Sequence, residues 1–156
     1  MEKYDLEFMR AAIDVARDAR EKGNHPFGAL LVDKHKNVIL CAENTVISER
    51  DCTGHAETNL VRRASKKYTR DFLANCSLYA STEPCPMCAG AIFWANIRRI
   101  VFGLSQNSLY EIVDNNNAEI LNVSCRDILL HGNKSIEVIG PMLEKEAKAV
   151  HRGFWN

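Results

Sequence analysis

Segments of strand length alternate with segments of helical periodicity along this 156-residue chain, and this alternation constrains the fold more than any other feature. Leu6, Met9 and Ile13 recur at helical spacing, which predicts a first amphipathic helix over about 4–22. Apolar segments bounded by turn residues predict strands at 27–32, 38–42, 76–81, 98–103 and 136–139. Helical patterns predict further helices at 55–67, at 84–95 and from Pro141 onward. A hairpin followed by alternating helices and strands indicates an α/β fold in which helices cover a sheet.

The pattern of helices and strands runs along the chain without an interruption that would mark a domain boundary. No repeat or linker divides the sequence, so we predict a single domain over residues 1–156. The segment 105–133 is the least patterned part of the chain, although 124–130 could form a short capped helix.

The charge balance bears on the kind of partner. Lys plus Arg equals Asp plus Glu at 20 each, so the formal net charge is zero. Nucleic-acid binders usually carry a basic excess, because neutralising phosphates supplies much of their affinity. A small uncharged substrate is therefore favoured over a nucleic acid, although pairs such as Arg62-Arg63 leave a local basic patch open.

The terminus and the cysteines bear on the compartment. The first ten residues are of mixed charge and lack the apolar core of a signal peptide. No apolar run approaches the ~20 residues that span a bilayer, so no membrane partner is expected. Six cysteines without a secretion signal favour reduced thiols in a cytoplasmic protein.

Two short segments carry the chemistry. His55 lies at a predicted helix start, and Cys85 and Cys88 lie three apart at another. One imidazole and two thiolates give Zn²⁺ three protein ligands and leave its fourth position open for water, the pattern of a catalytic zinc site. Glu57 follows His55 by two positions and can reach that water without binding the metal. Zinc lowers the pKa of bound water to roughly 7, so the resulting hydroxide is the expected nucleophile and Glu57 the expected proton shuttle.

Two other interpretations of these segments are open. Cys85-x-x-Cys88 alone could be a thiol redox pair, or half of a structural zinc site in an RNA-binding module. His55-x-Glu57 alone has little value, since His and Glu often share a solvated helix face. The combination is more specific, because an H-x-E segment followed by P-C-x-x-C is typical of zinc-dependent deaminases.

From about Met9 to Val101 the chain resembles the cytidine deaminase-like superfamily on these motifs. The resemblance implies a three-layer α-β-α sandwich with a five-stranded mixed sheet. It also implies an oligomeric enzyme, expected to be a homodimer, with one Zn²⁺ per chain. The implied reaction is hydrolytic loss of an exocyclic amine from a free nucleobase or nucleoside, which releases ammonia.

Within the superfamily the chain is similar to the bacterial guanine deaminase branch. Phe27 lies in a similar first strand, and Asn44 falls where that family places a base-binding asparagine. Trp94 falls where guanine deaminases pack a tryptophan against the purine, and the last aromatic residues resemble a tail that closes the site. A guanine-like purine is therefore the favoured substrate. Substrate contacts are expected from Asn44, Trp94, Ala56, Phe27, Asp114, Phe154 and Trp155.

Structural roles remain open for these residues. Asn44 could be a turn residue, Trp94 and Phe27 could be core, and the aromatic tail could simply pack on the last helix. Guanine deaminases also carry an acidic pair where this chain has Asp114 followed by three asparagines. The alternatives are a tRNA-specific adenosine deaminase, whose motifs include a similar Val101-Phe102-Gly103, and a cytosine or cytidine deaminase.

Overall fold

The computed structural model describes residues 2–113 and 119–155. The strands are β1 (Gly28–Val32), β2 (Val38–Glu43), β3 (Ser77–Thr82), β4 (Arg99–Leu104) and β5 (Glu137–Ile139). The longer helices are α1 (Lys3–Glu21), α3 (Ala56–Lys67), α5 (Pro86–Ala95) and α6 (Gln106–Val113). The shorter ones are α2 (Val46–Glu49), α4 (Arg70–Leu73), α7 (Cys125–Leu130) and α8 (Glu144–Ala149). None of the described helices is both long enough and apolar enough to cross a membrane.

The five strands form one mixed sheet in the order β2-β1-β3-β4-β5. The hairpin strands β1 and β2 pair antiparallel, and β1 also pairs antiparallel with β3. Strands β3, β4 and β5 are parallel, since α5 and the segment after β4 return the chain to the same edge. The α/β fold and its five-stranded mixed sheet are thus confirmed.

Two hydrophobic cores lie on opposite faces of the sheet. One core packs α3, α5 and α7 against side chains such as Leu31, Leu78 and Ile100. The other packs α1 and α8 against side chains such as Leu30 and Tyr79. Alternate residues of β1 and β3 point to opposite cores, so both strands are buried along their whole length. This is the three-layer α-β-α sandwich that the resemblance implies.

A buried polar cluster ties α1 to the amino ends of β3 and β4. The Asp5 carboxylate is fully buried and accepts hydrogen bonds from the Tyr79 hydroxyl (2.5 Å) and the Arg99 guanidinium (2.8 and 3.0 Å). Burial acts to raise the pKa of Asp5, but the hydrogen bonds from Arg99 and Tyr79 outweigh it and lower the pKa to about 2. The carboxylate is therefore ionised and fixes the first helix onto the sheet.

The structure differs from the sequence-based prediction after β4 and β5. Residues 106–113 form α6, which the sequence pattern did not predict. Pro141 does not begin the last helix, because the chain from Gly140 to Leu143 first runs along the sheet, where the Met142 N–H donates to Gly103 O (3.0 Å). The short capped helix is present as α7, where the Ser124 hydroxyl accepts the Asp127 N–H.

Candidate metal centre and active site

A cavity of about 720 Å³ opens at the carboxyl ends of β3 and β4. Open α/β sheets bind ligands at this edge, because the loops that follow parallel strands diverge there. The described residues around the cavity include His55, Glu57, Cys85, Phe27 and Trp155. Five residues that the sequence singled out therefore border one space.

The α3 helix positions the imidazole. His55 has extended backbone angles and is the N-cap of α3, and its carbonyl accepts from the Asn59 N–H (2.9 Å) and the Thr58 hydroxyl (3.0 Å). These bonds fix the backbone at the residue whose side chain must point at the metal. Glu57 follows in the first turn of α3, where the helix dipole favours a negative charge.

The α5 helix positions the two thiols. Cys85 is its N-cap, Pro86 occupies the first helical position, and Cys88 lies in the first turn. The Cys85 carbonyl accepts the Ala89 N–H at 2.8 Å, which closes that turn. With one residue at the cap and the other three positions on, both sulfurs face the same point in front of the helix.

The three ligand atoms have the spacing of a tetrahedral metal site. His55 Nδ1 lies 3.5 Å from Cys85 Sγ and 3.5 Å from Cys88 Sγ, and all three atoms lie within 4.8 Å of one another. Zn–N and Zn–S bonds at a tetrahedral angle separate nitrogen and sulfur by about 3.6 Å. The residues therefore fit Zn²⁺, bound through Nδ1 and two sulfurs, and the cavity lies on the open fourth side. His55, Cys85 and Cys88 are thus positioned to bind a metal ion, and their roles as zinc ligands stay a prediction.

The charges of the cluster also suit a cation. A hydrogen bond from Cys88 and the nearby His55 lower the pKa of Cys85 to about 4, although burial opposes the shift. The hydrogen bond to Cys85 and burial raise the pKa of Cys88. Both thiols would bind zinc as thiolates, so the lowered pKa of Cys85 favours metal binding, and binding at Cys88 would release a proton.

Glu57 is the carboxylate next to the cluster. It is 5% exposed and borders the cavity, yet the metal cluster does not include it. Burial and the Cys85 charge raise the pKa of Glu57 to about 7. A carboxyl group with a pKa near neutrality can both take and give a proton at that pH, which is the property that general acid–base catalysis needs. Its role as the proton shuttle stays a prediction.

Aromatic side chains form part of the cavity wall. Phe27, at the start of β1, and Trp155, near the end of the chain, have ring centroids 6.1 Å apart, and both border the cavity. His25 joins them, with its ring 5.2 Å from the Trp155 ring. Phe27 and Trp155 therefore occupy the region where the sequence predicts substrate contacts, although contact itself stays a prediction.

Other predicted substrate residues are not among the described residues that border this cavity, and their contact with substrate stays a prediction. Trp94 is 73% exposed on α5 and is not among the described residues that border the cavity of its own chain. Asn44 is buried, and its Oδ1 accepts the Val46 N–H (3.0 Å), which is the turn role that the sequence left open. Ala56 is buried in the core, and Phe154 packs edge-on beside His25. Asp114 lies outside the described residues, so its contact with substrate stays a prediction.

Sequence reasoning missed the α6 side of the cavity. Gln106 and Tyr110 border it from α6, and Glu83 borders it next to Cys85. The Gln106 side-chain oxygen is buried and has no hydrogen-bond partner among the described residues. Ser105, whose hydroxyl accepts the Ser108 N–H (3.2 Å), is a cap signal that could have marked the start of α6.

Comparisons with known proteins agree with this site. Residues 2–104 match the family model of the cytidine and deoxycytidylate deaminase zinc-binding region. The chain is similar to a probable cytosine deaminase of Schizosaccharomyces pombe, with 46% identity over 157 residues that cover 100% of this chain and 95% of that protein. It is also similar to the tRNA-specific adenosine deaminase of Haemophilus influenzae, with 42% identity over 103 residues that cover 66% of this chain and 60% of the relative.

A solved structure supports the fold. The structure of a guanine deaminase from Nitrosomonas europaea superposes with a TM-score of 0.74 and covers 93% of this chain and 81% of its own. Its sequence identity is 24%, so the likeness speaks for the fold alone.

Proposed function

Because this chain belongs to the family that carries the cytidine and deoxycytidylate deaminase zinc-binding region, we propose that it hydrolytically deaminates a free nucleobase, with cytosine as the first substrate to test. One observation carries the proposal: His55 and Cys85 of the metal cluster border the same cavity as Glu57, at the carboxyl ends of the parallel strands. A structural zinc site has its four positions closed by protein ligands, whereas this cluster has three ligands among the described residues and faces a cavity large enough for a heterocycle.

The chemistry divides between the metal and the carboxylate. Zinc, when bound by His55, Cys85 and Cys88, supplies a Lewis acid that makes water acidic enough to attack at neutral pH. Glu57 takes a proton from the attacking water and delivers protons to the substrate, so that the exocyclic nitrogen leaves as ammonia and a carbonyl replaces it. The buried position of Glu57 keeps bulk water away from this transfer.

The choice of cytosine ahead of a purine depends on the extent of similarity. The cytosine deaminase relative matches the chain from end to end, including α6, residues 119–121 and Trp155, which supply much of the cavity wall. Two of the features behind the guanine-like preference, Trp94 and Asn44, are not among the described residues that border the cavity of the single chain. Guanine and other purines therefore remain in the test panel as the second candidate.

The test is ammonia release from a substrate panel. Cytosine, cytidine, guanine, guanosine and adenine are incubated with the zinc-loaded protein, and cytosine should be turned over fastest. Glu57→Gln keeps the size of the side chain and should lower kcat by at least 10²–10⁴-fold while zinc stays near one per chain. Glu7→Gln, at an exposed glutamate of α1, is the matched control and should keep wild-type turnover. Undiminished turnover in Glu57→Gln would refute the role of Glu57.

The alternative functions predict different results in assays of the same zinc-loaded protein. A structural zinc or RNA-binding module should hold zinc, release no ammonia, and bind RNA with a steep salt dependence. A tRNA-specific adenosine deaminase should release ammonia from tRNA and leave the free bases intact. A thiol redox protein should form a Cys85–Cys88 disulfide under a mild oxidant, which bound zinc would prevent.

A further inference from the structure

His151 is a buried histidine that the proposed reaction does not use. It is 1% exposed and lies just after α8, where the chain turns back toward the cavity. Arg20 of α1 holds this turn, since its guanidinium donates to the carbonyls of Val150 (2.8 Å) and Arg152 (2.7 Å). The backbone around His151 is therefore fixed on both sides, and the direction of its ring is set by the fold.

The ring of His151 connects Trp155 to the sheet. The Trp155 indole Nε1–H donates to His151 Nδ1 at 3.0 Å, and the two rings are nearly parallel, at 15°. On its other side, His151 Nε2 lies 3.5 Å from the Thr82 hydroxyl, at the end of β3. Phe27 packs against the same ring, with centroids 5.3 Å apart. Thr82, Phe27 and Trp155 all border the cavity, whereas His151 is behind them.

The hydrogen bond to Trp155 fixes the tautomer of His151. An indole N–H can only donate, so Nδ1 must carry a lone pair and the ring proton must sit on Nε2, toward Thr82. Burial, with a smaller contribution from Arg20, lowers the pKa of His151 to about 4, so the ring is neutral at pH 7, as this arrangement requires. The indole is thereby held by a directional bond as well as by packing.

We propose that His151 is a positioning residue that holds the Trp155 indole as a wall of the substrate cavity. The inference rests on the proposed function for the identity of the ligand. The flat apolar surface of an indole suits a heterocyclic ring. His151 acts through Trp155 and touches neither the metal cluster nor the open space of the cavity. Its loss should therefore weaken binding of the ring and leave the proton transfers at Glu57 intact.

Two substitutions at His151 separate the hydrogen bond from the packing. His151→Leu fills the space without an acceptor, whereas His151→Asn can place an amide oxygen near the position of Nδ1. One neutral hydrogen bond contributes about 0.5–1.5 kcal/mol, so His151→Leu should raise KM for cytosine about 3–10-fold with kcat within twofold of wild type. His151→Asn should keep KM within about twofold of wild type, because its amide oxygen can accept the indole N–H in place of Nδ1. His35→Leu, at an exposed histidine of the β1–β2 turn, is the matched control.

A second measurement does not depend on turnover. In a Trp94→Phe background, Trp155 is the remaining one of the two tryptophans of the chain. Relative to that background, His151→Leu should shift the Trp155 fluorescence emission to longer wavelength, as the released indole meets water, and His151→Asn should not. The emission result stands even if no nucleobase is deaminated, so failure of this inference and failure of the proposed function are distinguishable.

The opposite results would overturn the inference. Unchanged emission in His151→Leu would show that packing alone holds the indole. An equal rise in KM in His151→Leu and His151→Asn would assign His151 a general structural role. A fall in kcat at constant KM would lead to the same conclusion. Thermal melts of each variant confirm that the comparison is made between folded proteins.

Discussion

The Glu83 carboxylate accepts the backbone N–H of Gln106 at 3.0 Å, and thereby joins the loop that carries Cys85 to the start of α6. Its second oxygen accepts the Cys125 N–H at 2.9 Å, at the start of α7. Glu83 is 8% exposed, so both bonds are largely shielded from water. One buried side chain thus connects the loop before Cys85 to the first residues of α6 and α7.

Glu83→Gln should destabilise the fold although the two side chains have nearly the same size. An amide offers one acceptor oxygen and one NH₂ group, so one of the two backbone N–H groups would face another donor. The cost of one buried unsatisfied donor is about 1–3 kcal/mol, to be measured as the free energy of unfolding in urea. Glu111→Gln, at an exposed glutamate of α6, should change it by less than about 0.5 kcal/mol. Equal stabilities of the two variants would contradict the role given to Glu83.

The sequence predicted the parts of this structure that depend on local pattern. Strand bounds agree to within a few residues, because β1 is a continuous apolar segment, β3 has an apolar centre, and the sheet buries both strands on both faces. The metal site was predictable because its ligands lie at two helix starts, where spacing alone brings Cys85 and Cys88 to one point. His55 is at a cap for the same local reason.

The parts that the sequence did not predict depend on contacts between distant segments. Gln106 borders the cavity because Glu83 holds its backbone. Trp155 was expected at the site from the resemblance, but its hydrogen bond to His151 was not. Such pairings leave no periodic signal along the chain. Trp94 is a residue for which local pattern was insufficient. Its position on an apolar helix suggested either the core or the substrate site, but its side chain is exposed.

The Asp5 cluster should make stability sensitive to acid. The pKa of Asp5 is about 2 in the folded protein against 3.8 for the ordinary carboxyl, so its contribution is complete above about pH 4 and is lost as the pH falls toward 2. The difference corresponds to about 2 kcal/mol. The free energies of unfolding of the wild type and of Asp5→Asn, measured in urea between pH 6 and pH 2.5, should therefore draw closer as the pH falls.

Asp5→Asn should also be destabilised at neutral pH. The change removes the buried charged partner of Arg99 and leaves it paired with the exposed Glu137. From the pKa difference of Asp5 we expect a cost of about 2 kcal/mol. Asp14→Asn is the matched control on the same helix, because Asp14 forms an exposed ion pair with Arg17 that contributes less than about 1 kcal/mol. A pH-independent difference between wild type and Asp5→Asn would show that the charge of Asp5 is unimportant.

Removal of zinc should expose a specific thiol. Cys85 borders the cavity and has a depressed pKa, whereas Cys76 and Cys125 are buried with raised pKa values. Chelation should make Cys85 reactive toward iodoacetamide, as mapped by mass spectrometry, while Cys76 and Cys125 stay protected in the folded protein. Melting temperature should fall together with zinc content, since a ligand present at ~1,000 times its Kd stabilises by about 4 kcal/mol.

Reloading with zinc should reverse both effects. The exposed Cys41 is the internal control, and its labelling should be the same with and without the metal. Equal labelling of Cys85 in the two states would argue against its role as a zinc ligand.

The exposed face of α5 and α7 bears on assembly. Trp94 is 73% exposed and Leu130 78% exposed, and the two helices that carry them pack side by side. Large apolar side chains at this exposure on neighbouring elements are typical of protein interaction sites.

If the chain is a homodimer through this face, Trp94→Lys should shift it to a monomer in sedimentation equilibrium at micromolar concentration. Ile47→Lys, which places the same charge at an exposed apolar residue of α2, should leave the assembly unchanged. A wild-type protein that sediments as a monomer, or a dimer that survives Trp94→Lys, would exclude this face as the interface.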